Sequence, residues 1–126
     1  MSILGPWCRS ATAVLMLLAA SAAHAAEDTR PYDDKLLRLS EILGAVHFLR
    51  ELCGANEGQV WRKQMSDLIE SEGTSALRRA RLAASFNKGY RSYRRTYQSC
   101  NSAAQTTIAK FLTEGADLAT TLSQLE

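Results

Sequence analysis

Apolar residues recur every three or four positions along most of the chain after residue 32. This spacing is the period of an α-helix that has one apolar face. The sequence lacks the β-branched runs and the hairpin dipeptides between alternating segments that predict strands. The pattern therefore predicts an all-α fold, a small bundle of three to four helices over residues 33–126.

The first predicted helix begins at Asp33 or Asp34, where an aspartate can cap the free backbone amides and lies at the positive end of the helix dipole. Gly54 is expected to end this helix, since glycine is frequent just beyond a helix C-terminus. The apolar stripe of the helix consists of Leu39, Ile42, Val46, Leu49 and Cys53.

Two further helices follow from the same pattern. Asn56 and Gln59 form a capping-box pattern that predicts the start of a second helix, which ends near Gly73. The third helix begins near Thr74 or Ser75. Its stripe continues to the second cysteine through Leu82, Phe86, Tyr90, Tyr93, Tyr97 and Cys100.

A second capping-box pattern, Ser102 with Gln105, predicts a break and a fourth helix. Its inward positions are Ala104, Ile108, Phe111, Leu118, Leu122 and Leu125. The alternative is one unbroken helix from residue 75 to about residue 124. We favour the break because so long a helix would extend beyond a compact domain.

The N-terminus has the features of a secretory signal peptide. An apolar stretch over residues 11–23 follows Arg9, and the small residues Ala23 and Ala25 precede a cleavage position. We therefore predict a cleaved signal peptide over residues 1–25, a loose arm over residues 26–32 and a periplasmic location. An uncleaved membrane anchor is the alternative, but the apolar stretch is short for a span. No stable membrane span is expected after cleavage.

Cleavage would remove Cys8 and leave two cysteines, Cys53 and Cys100. An even pair in an exported chain predicts one disulfide. Cys53 and Cys100 lie 14 residues after Leu39 and Phe86, so each is about 21 Å along its own helix. The cysteines can be level only if the first and third helices are parallel, which predicts an up-down-up arrangement.

Charge is unevenly distributed along the chain. Residues 27–72 contain ten acidic and six basic residues, residues 73–113 contain eight basic and no acidic residues, and residues 114–126 contain three acidic residues. The basic segment can be a partner-binding surface. It can equally be the internal complement of the acidic helices or a solvated face.

Within the basic segment, one row of residues can share a helical face. Its members are Arg78, Arg81, Lys88, Arg91 and Arg95. Arginine beside tyrosine suits an anionic envelope component or an acidic protein. Nucleic acid is not expected, because an exported protein rarely meets it. The alternative is a solvated face whose arginine stems cover the bundle.

A second candidate site is the recognition corner, the polar entry to the second helix formed by Asn56, Gln59, Trp61 and Arg62. Loops and helix N-termini often present polar groups to partners. The alternative is a local capping motif in which Trp61 anchors the core.

The sequence gives little indication of metal binding or catalysis. His47 and Glu51 share a helical face, but two such ligands do not make a metal site. No nucleophile motif, phosphate-binding loop or dinucleotide fingerprint is present. We therefore predict no catalytic residue, no metal and no cofactor.

The segments RPYDDKLLRLSEILGAVHFLRELCGANEGQVWR and FNKGYRSYRRTYQSC resemble a domain-of-unknown-function family of small exported alphaproteobacterial proteins. The resemblance extends from Arg30 to about Gly115, and its motifs include Cys53 and Cys100. It implies a small secreted or periplasmic helical protein. It implies no activity, substrate or catalytic residue.

The function predicted from the sequence is that of an exported, non-catalytic protein that binds another protein or an anionic envelope component. One alternative is a helical adaptor that pairs through Leu118, Leu122 and Leu125. The remaining alternatives are a small envelope hydrolase and a metal-binding protein.

Overall fold

The structure, a computed structural model, describes residues 28–125. Every regular element in this range is an α-helix, which confirms the predicted all-α fold. The helices are α1 (Asp33–Leu52), α2 (Val60–Glu72), α3 (Ala76–Thr96) and α4 (Ser102–Ser123). The predicted signal peptide over residues 1–25 lies outside the described range. Among the described residues, the chain from Pro31 onward forms one compact unit.

Helix α1 is the centre of the bundle, and each of the other three helices packs against it. Asp33 at the start of α1 pairs with Arg78 near the start of α3. Cys53, just beyond α1, is bonded to Cys100, just beyond α3. Helices α1 and α3 are therefore parallel, as the cysteine spacing predicted.

The Cys53–Cys100 disulfide is confirmed, with an S–S distance of 2.07 Å and a Cα–Cα distance of 4.9 Å. The chain also breaks near residue 100, so the unbroken-helix alternative is wrong. However, α3 ends at Thr96 rather than at Cys100, and Tyr97 has an extended backbone. The residues after Thr96 lead the chain across to the end of α1, where Cys53 lies.

Helices α1 and α3 cross at two glycines that lie inside the helices. A Cβ atom on Gly44 would collide with the Phe86 carbonyl oxygen, and one on Gly89 would collide with the Glu41 carbonyl oxygen. The two backbones therefore approach each other more closely than any other residue type allows. The helix pattern alone gave no reason to place a close crossing at these positions.

The buried residues form two apolar clusters on different sides of α1. Buried residues of α1 and α4 make up the first, which includes Leu49, Ile108 and Phe111. The second joins α1 to α2 and α3 and includes Met65 and Leu82. Partly buried apolar side chains pack on both clusters; Leu118 contacts the first and Leu122 the second. Of the predicted adaptor face, only Leu125 is exposed.

Two of the predicted helix caps are wrong. Helix α1 begins at Asp33, as predicted, but its N-cap residue is Tyr32, which makes no side-chain cap, and the carboxylate of Asp33 binds Arg78. Helix α2 begins at Val60, and neither Asn56 nor Gln59 provides a side-chain cap. Gly58, with φ of +59°, turns the chain into α2, since this left-handed conformation favours glycine.

Caps at the other two helices agree better with the sequence. The Ser75 side chain caps α3 by accepting a hydrogen bond from the Arg78 amide at 3.0 Å. Asn101, one residue before the predicted Ser102, caps α4 by accepting from the Ala104 amide at 2.8 Å. Both are ordinary N-caps in which a short polar side chain satisfies a free amide.

Candidate functional site on the third helix

The strongest candidate site is the outer surface of α3. We call it the basic face and define it by Arg81, Lys88, Arg91 and Arg95, all of which are exposed. These residues span 14 positions of a continuous helix, or about 21 Å. Helix α3 contains no acidic residue, and its buried positions, such as Leu82 and Phe86, face the other helices. The helix thus presents a row of cations with no acidic residue between them.

The cations of the basic face have no carboxylate partner in the described part of the chain. Arg95 donates through Nε to the Arg91 carbonyl oxygen at 3.3 Å, a bond that leaves its charge unneutralised. Arg94 flanks the face, and its guanidinium carbon lies 5.8 Å from the centre of the Tyr90 ring. Arg94 therefore adds a cation that is held by an aromatic ring rather than by an acid.

Arg78 does not belong to this surface, so its assignment to the basic row is corrected. Its side chain is buried, with 4% of the residue exposed. Nη1 lies 2.7 Å from Asp33 Oδ1, and Nη2 lies 3.4 Å from Glu72 Oε2. The guanidinium also lies over the Tyr32 ring. Arg78 joins the starts of α1 and α3 to the end of α2.

The electrostatics of Arg78 follow from this enclosure. Burial acts to lower its pKa, because a charged group loses hydration. The hydrogen bond and the charge of Asp33, assisted by Glu72, act in the opposite direction and raise the pKa of Arg78 overall. The side chain is therefore a fixed internal cation. Among the eight basic residues of residues 73–113, Arg78 therefore neutralises acidic residues inside the fold. The residues of the basic face are exposed to solvent instead.

The recognition corner is partly a packing motif. Asn56, Gln59 and Arg62 are exposed, while the half-buried Trp61 packs against both apolar clusters. The guanidinium carbon of Arg62 lies 6.0 Å from the Phe86 ring centre. Trp61 is the core anchor that the alternative interpretation described. The structure places the other three at the surface.

Glu57 organises this corner, a role that was not predicted from the sequence. Its carboxylate accepts hydrogen bonds from Arg50 and from the Trp61 indole. The hydrogen bond from Arg50 is the largest of the effects that lower the pKa of Glu57. An acid four residues before a tryptophan was the available signal, since that spacing can place the two side chains together.

His47 is a buried side chain of the core. The residue is 3% exposed, and its ring centre lies 5.6 Å from that of Tyr90. Nε2 is 4.0 Å from Glu51 Oε1. Burial lowers the pKa of His47; Glu51 opposes the shift and Arg62 adds to it. No set of three or more His, Cys, Asp or Glu side chains within residues 28–125 is placed to hold a metal ion.

Among residues 28–125, no helix combines the length and the apolar character that crossing a bilayer requires. The family described as "Protein of unknown function (DUF2385)" matches residues 31–125. No curated protein and no solved structure matches the chain. The match covers the whole four-helix unit, and the chain therefore belongs to this family.

Proposed function

We propose that the protein is an exported, non-catalytic binding module that attaches to an anionic component of the periplasmic cell envelope through the basic face. The single observation that carries the proposal is the row of exposed cations on α3, a helix without acidic residues. None of these cations is neutralised by a carboxylate in the described residues. The signal-peptide pattern of residues 1–25 supports export.

The chemistry of the row suits phosphate or carboxylate groups on an extended surface. Arg91 and Arg95 follow Lys88 at steps of three and four residues, so a cation recurs about every 5–6 Å along this part of the helix. Guanidinium groups bind phosphates and carboxylates through paired hydrogen bonds. Because the row is exposed, its attraction to a partner is screened by salt.

The test is vesicle binding over a range of salt concentrations. The Lys88→Glu/Arg91→Glu/Arg95→Glu variant is compared with the wild type on phosphatidylglycerol vesicles and on phosphatidylcholine vesicles. Each cation near an anionic membrane contributes about 1 kcal/mol, so the loss of three cations weakens binding roughly 100-fold, and repulsion of the three new glutamates weakens it further. Wild-type binding should require the anionic lipid and should weaken as salt rises.

The matched control is Lys35→Glu/Lys63→Glu/Lys110→Glu, which changes the net charge by the same amount on the other helices. All three lysines are exposed, and only Lys63 has a salt-bridge partner, Asp67, among the described residues. The control should bind nearly as well as the wild type. Equal weakening in both variants would show a general charge effect and reject the basic face.

A second binding experiment, without phospholipid vesicles, distinguishes the sources of the anion. Purified lipopolysaccharide presents phosphates outside a phospholipid bilayer, and the same pair of variants is measured against it. Loss in the α3 variant alone, with either probe, supports the proposal and names the source. If neither probe binds the wild type, an anionic envelope component is rejected and an acidic protein partner remains.

A further inference from the structure

An apolar groove lies between α2 and α4, on a side of α1 that α3 does not reach. Its cavity volume is about 330 Å³, and no residue of α3 lines it. Leu39 and Val46 are on its floor, Trp61 and Leu68 on one wall, and Leu112 and Ala119 on the other. Gln64 is the only polar side chain among its lining residues. The groove is therefore almost wholly hydrocarbon.

The groove continues toward the start of α1. A second cavity of about 280 Å³ shares Leu39, Leu68 and Ala119 with the first and ends at the polar residues Tyr32 and Glu72. From Tyr32 to Val46 the two cavities together follow 14 residues of α1, a length of about 21 Å. Apolar sites of 300–1,000 Å³ between the helices of bundles are typical ligand sites.

The groove stays open because α4 places small residues opposite large ones. Gly115, Ala116 and Ala119 face a wall of α2 that contains Trp61 and Leu68, and α2 and α4 do not pack against each other. Leu112 lines the groove with 38% of its surface exposed, and Leu125, in the second cavity, is 57% exposed. Large apolar side chains thus remain in water at its edge.

We propose that this groove binds one linear hydrocarbon chain of an amphiphile, lying along α1 with its head group toward Tyr32 and Glu72. The uncharged lining of the larger cavity suits methylene groups and excludes a charged group. A helix about 10 Å wide fills roughly 120 Å³ per residue, so 330 Å³ holds fewer than three helical residues. The groove therefore cannot enclose a partner helix, whereas a hydrocarbon chain fits within it.

The charged side chains at the end of the groove determine which head-group charge the amphiphile can have. The side chains that line the two cavities include one carboxylate, that of Glu72, and no cation. Glu72 is bound by Arg78 and by the Tyr32 hydroxyl. An anionic head group would meet a carboxylate without a lining cation, so the groove favours an uncharged or zwitterionic amphiphile. This ligand differs from the anionic partner proposed for the basic face.

The test uses the full chain with Trp7→Phe, in which Trp61 is the only tryptophan. The probes are 1-alkanols of six to fourteen carbons and 12-bromododecanol, whose bromine quenches tryptophan on contact. Saturable quenching of Trp61 by 12-bromododecanol is expected. Affinity should rise about fourfold with each added methylene until the groove is full and then stop rising.

Ala119→Phe, in the same background, fills the space shared by the two cavities. It should weaken alkanol binding at least tenfold while the helical circular dichroism and melting temperature stay near those of the parent. Ala116→Phe is the second variant if Ala119→Phe does not fold. Ala84→Phe is the control, because Ala84 is an exposed alanine on α3, away from the groove. It should bind like the parent.

Three results would overturn the proposal. The first is quenching that does not saturate, and the second is equal weakening in Ala84→Phe. The third is a dimer, detected by light scattering, that Ala119→Phe converts to a monomer, since a second copy would then cover the groove. The Lys88→Glu/Arg91→Glu/Arg95→Glu variant should bind alkanols normally. That result separates failure of the groove from failure of the basic face.

Discussion

Arg78 and Arg81 are three residues apart on α3, yet Arg78 is buried and Arg81 is exposed to solvent. Arg78 is on the inner side of the helix, which packs against α1 and α2 and includes Gly89. Arg81 is on the outer side, where the basic face meets solvent. The inner side of α3 is thus held in place by packing against α1 and α2. The cations on its outer side are not neutralised by any described carboxylate.

The difference shows why a local charge count cannot identify a binding surface. Both arginines belong to the same basic segment, but Arg78 is neutralised by Asp33, which is 45 residues earlier in the chain. Only the packing of α1 on α3 brings these two groups together. Cations left on the surface after such internal pairing, as Arg91 and Arg95 are, become the candidates for binding a partner.

Gly89→Ala should have the largest effect, because its Cβ would collide with the backbone carbonyl oxygen of Glu41. Helix propensity alone predicts that this change stabilises the protein by about 1 kcal/mol. We expect instead a loss of more than about 4 kcal/mol, since two packed backbones must separate. Urea unfolding followed by circular dichroism measures the change.

Gly115→Ala is the matched control for Gly89→Ala. Gly115 also lies inside a helix, but its added Cβ would lie 3.3 Å from a methyl group of Ile42, which has to move by only a few tenths of an ångström. The variant should be neutral or slightly more stable than the wild type. Stabilisation by both alanines would show that the inner side of α3 is not in close backbone contact with α1.

Loss of the disulfide should have the next largest effect. Cys53→Ser/Cys100→Ser opens a link between residues that are 47 positions apart, which the chain-entropy model values at about 4 kcal/mol. Reductant should lower the melting temperature of the wild type by about as much as the double substitution does. Reductant should leave the double variant unchanged. If reductant leaves the melting temperature of the wild type unchanged, the disulfide does not contribute to stability.

Arg78→Met and Arg81→Met compare the two sides of α3 directly. Arg78→Met leaves Asp33 and Glu72 without their shared cation in a partly buried site, which should cost about 3 kcal/mol. Arg81→Met should change the free energy of unfolding by no more than about 0.5 kcal/mol, since its side chain is exposed. Chemical denaturation measures both.

A further substitution identifies the cause of the Arg78 effect. Adding Asp33→Asn and Glu72→Gln to Arg78→Met removes the uncompensated charges and should recover part of the lost stability. If Arg78→Met and Arg81→Met are equally stable, the inner and outer arginines are not energetically different.

Much of the fold follows from the sequence because its signals are local. The periodic stripes predicted the helices, including a start of the third helix near Thr74 or Ser75. The spacing of Cys53 and Cys100 predicted the parallel packing of α1 and α3. Features that depend on distant partners were missed. The Asn56–Gln59 capping box does not form because α2 begins only at Val60, and the polar contacts of this turn are those of Glu57 with Arg50 and Trp61.

The same distinction explains the errors at the sites. The exposed members of the basic row were predicted by helical spacing, which is a local property. Arg78 satisfied that spacing too, and only its contacts with α1 and α2 remove it from the surface. Gly44 and Gly89 gave a weak signal as glycines inside helical patterns, but nothing local to either one identifies its partner backbone.

The smallest expected effect is a pH dependence from His47, which packs on Phe86 and Tyr90 at the inner side of α3. Burial lowers the pKa of His47 below its usual value, so the folded state favours the neutral ring. The unfolded chain binds a proton as the pH falls through about 6.5, whereas the folded chain resists it. Stability should therefore decrease on acidification, by no more than about 1.4 kcal/mol per pH unit for one proton.

His47→Leu isolates this contribution, because the variant keeps a buried apolar side chain and removes the titrating ring. Glu51, Arg62 and Tyr90 are retained, so the other polar groups that face the site are the same in both proteins. Urea unfolding between pH 5 and pH 7.5 should show a smaller loss of stability on acidification in His47→Leu than in the wild type. Identical pH profiles would mean that the ring is protonated without cost, and that this part of the inner side is as accessible to water as the outer side.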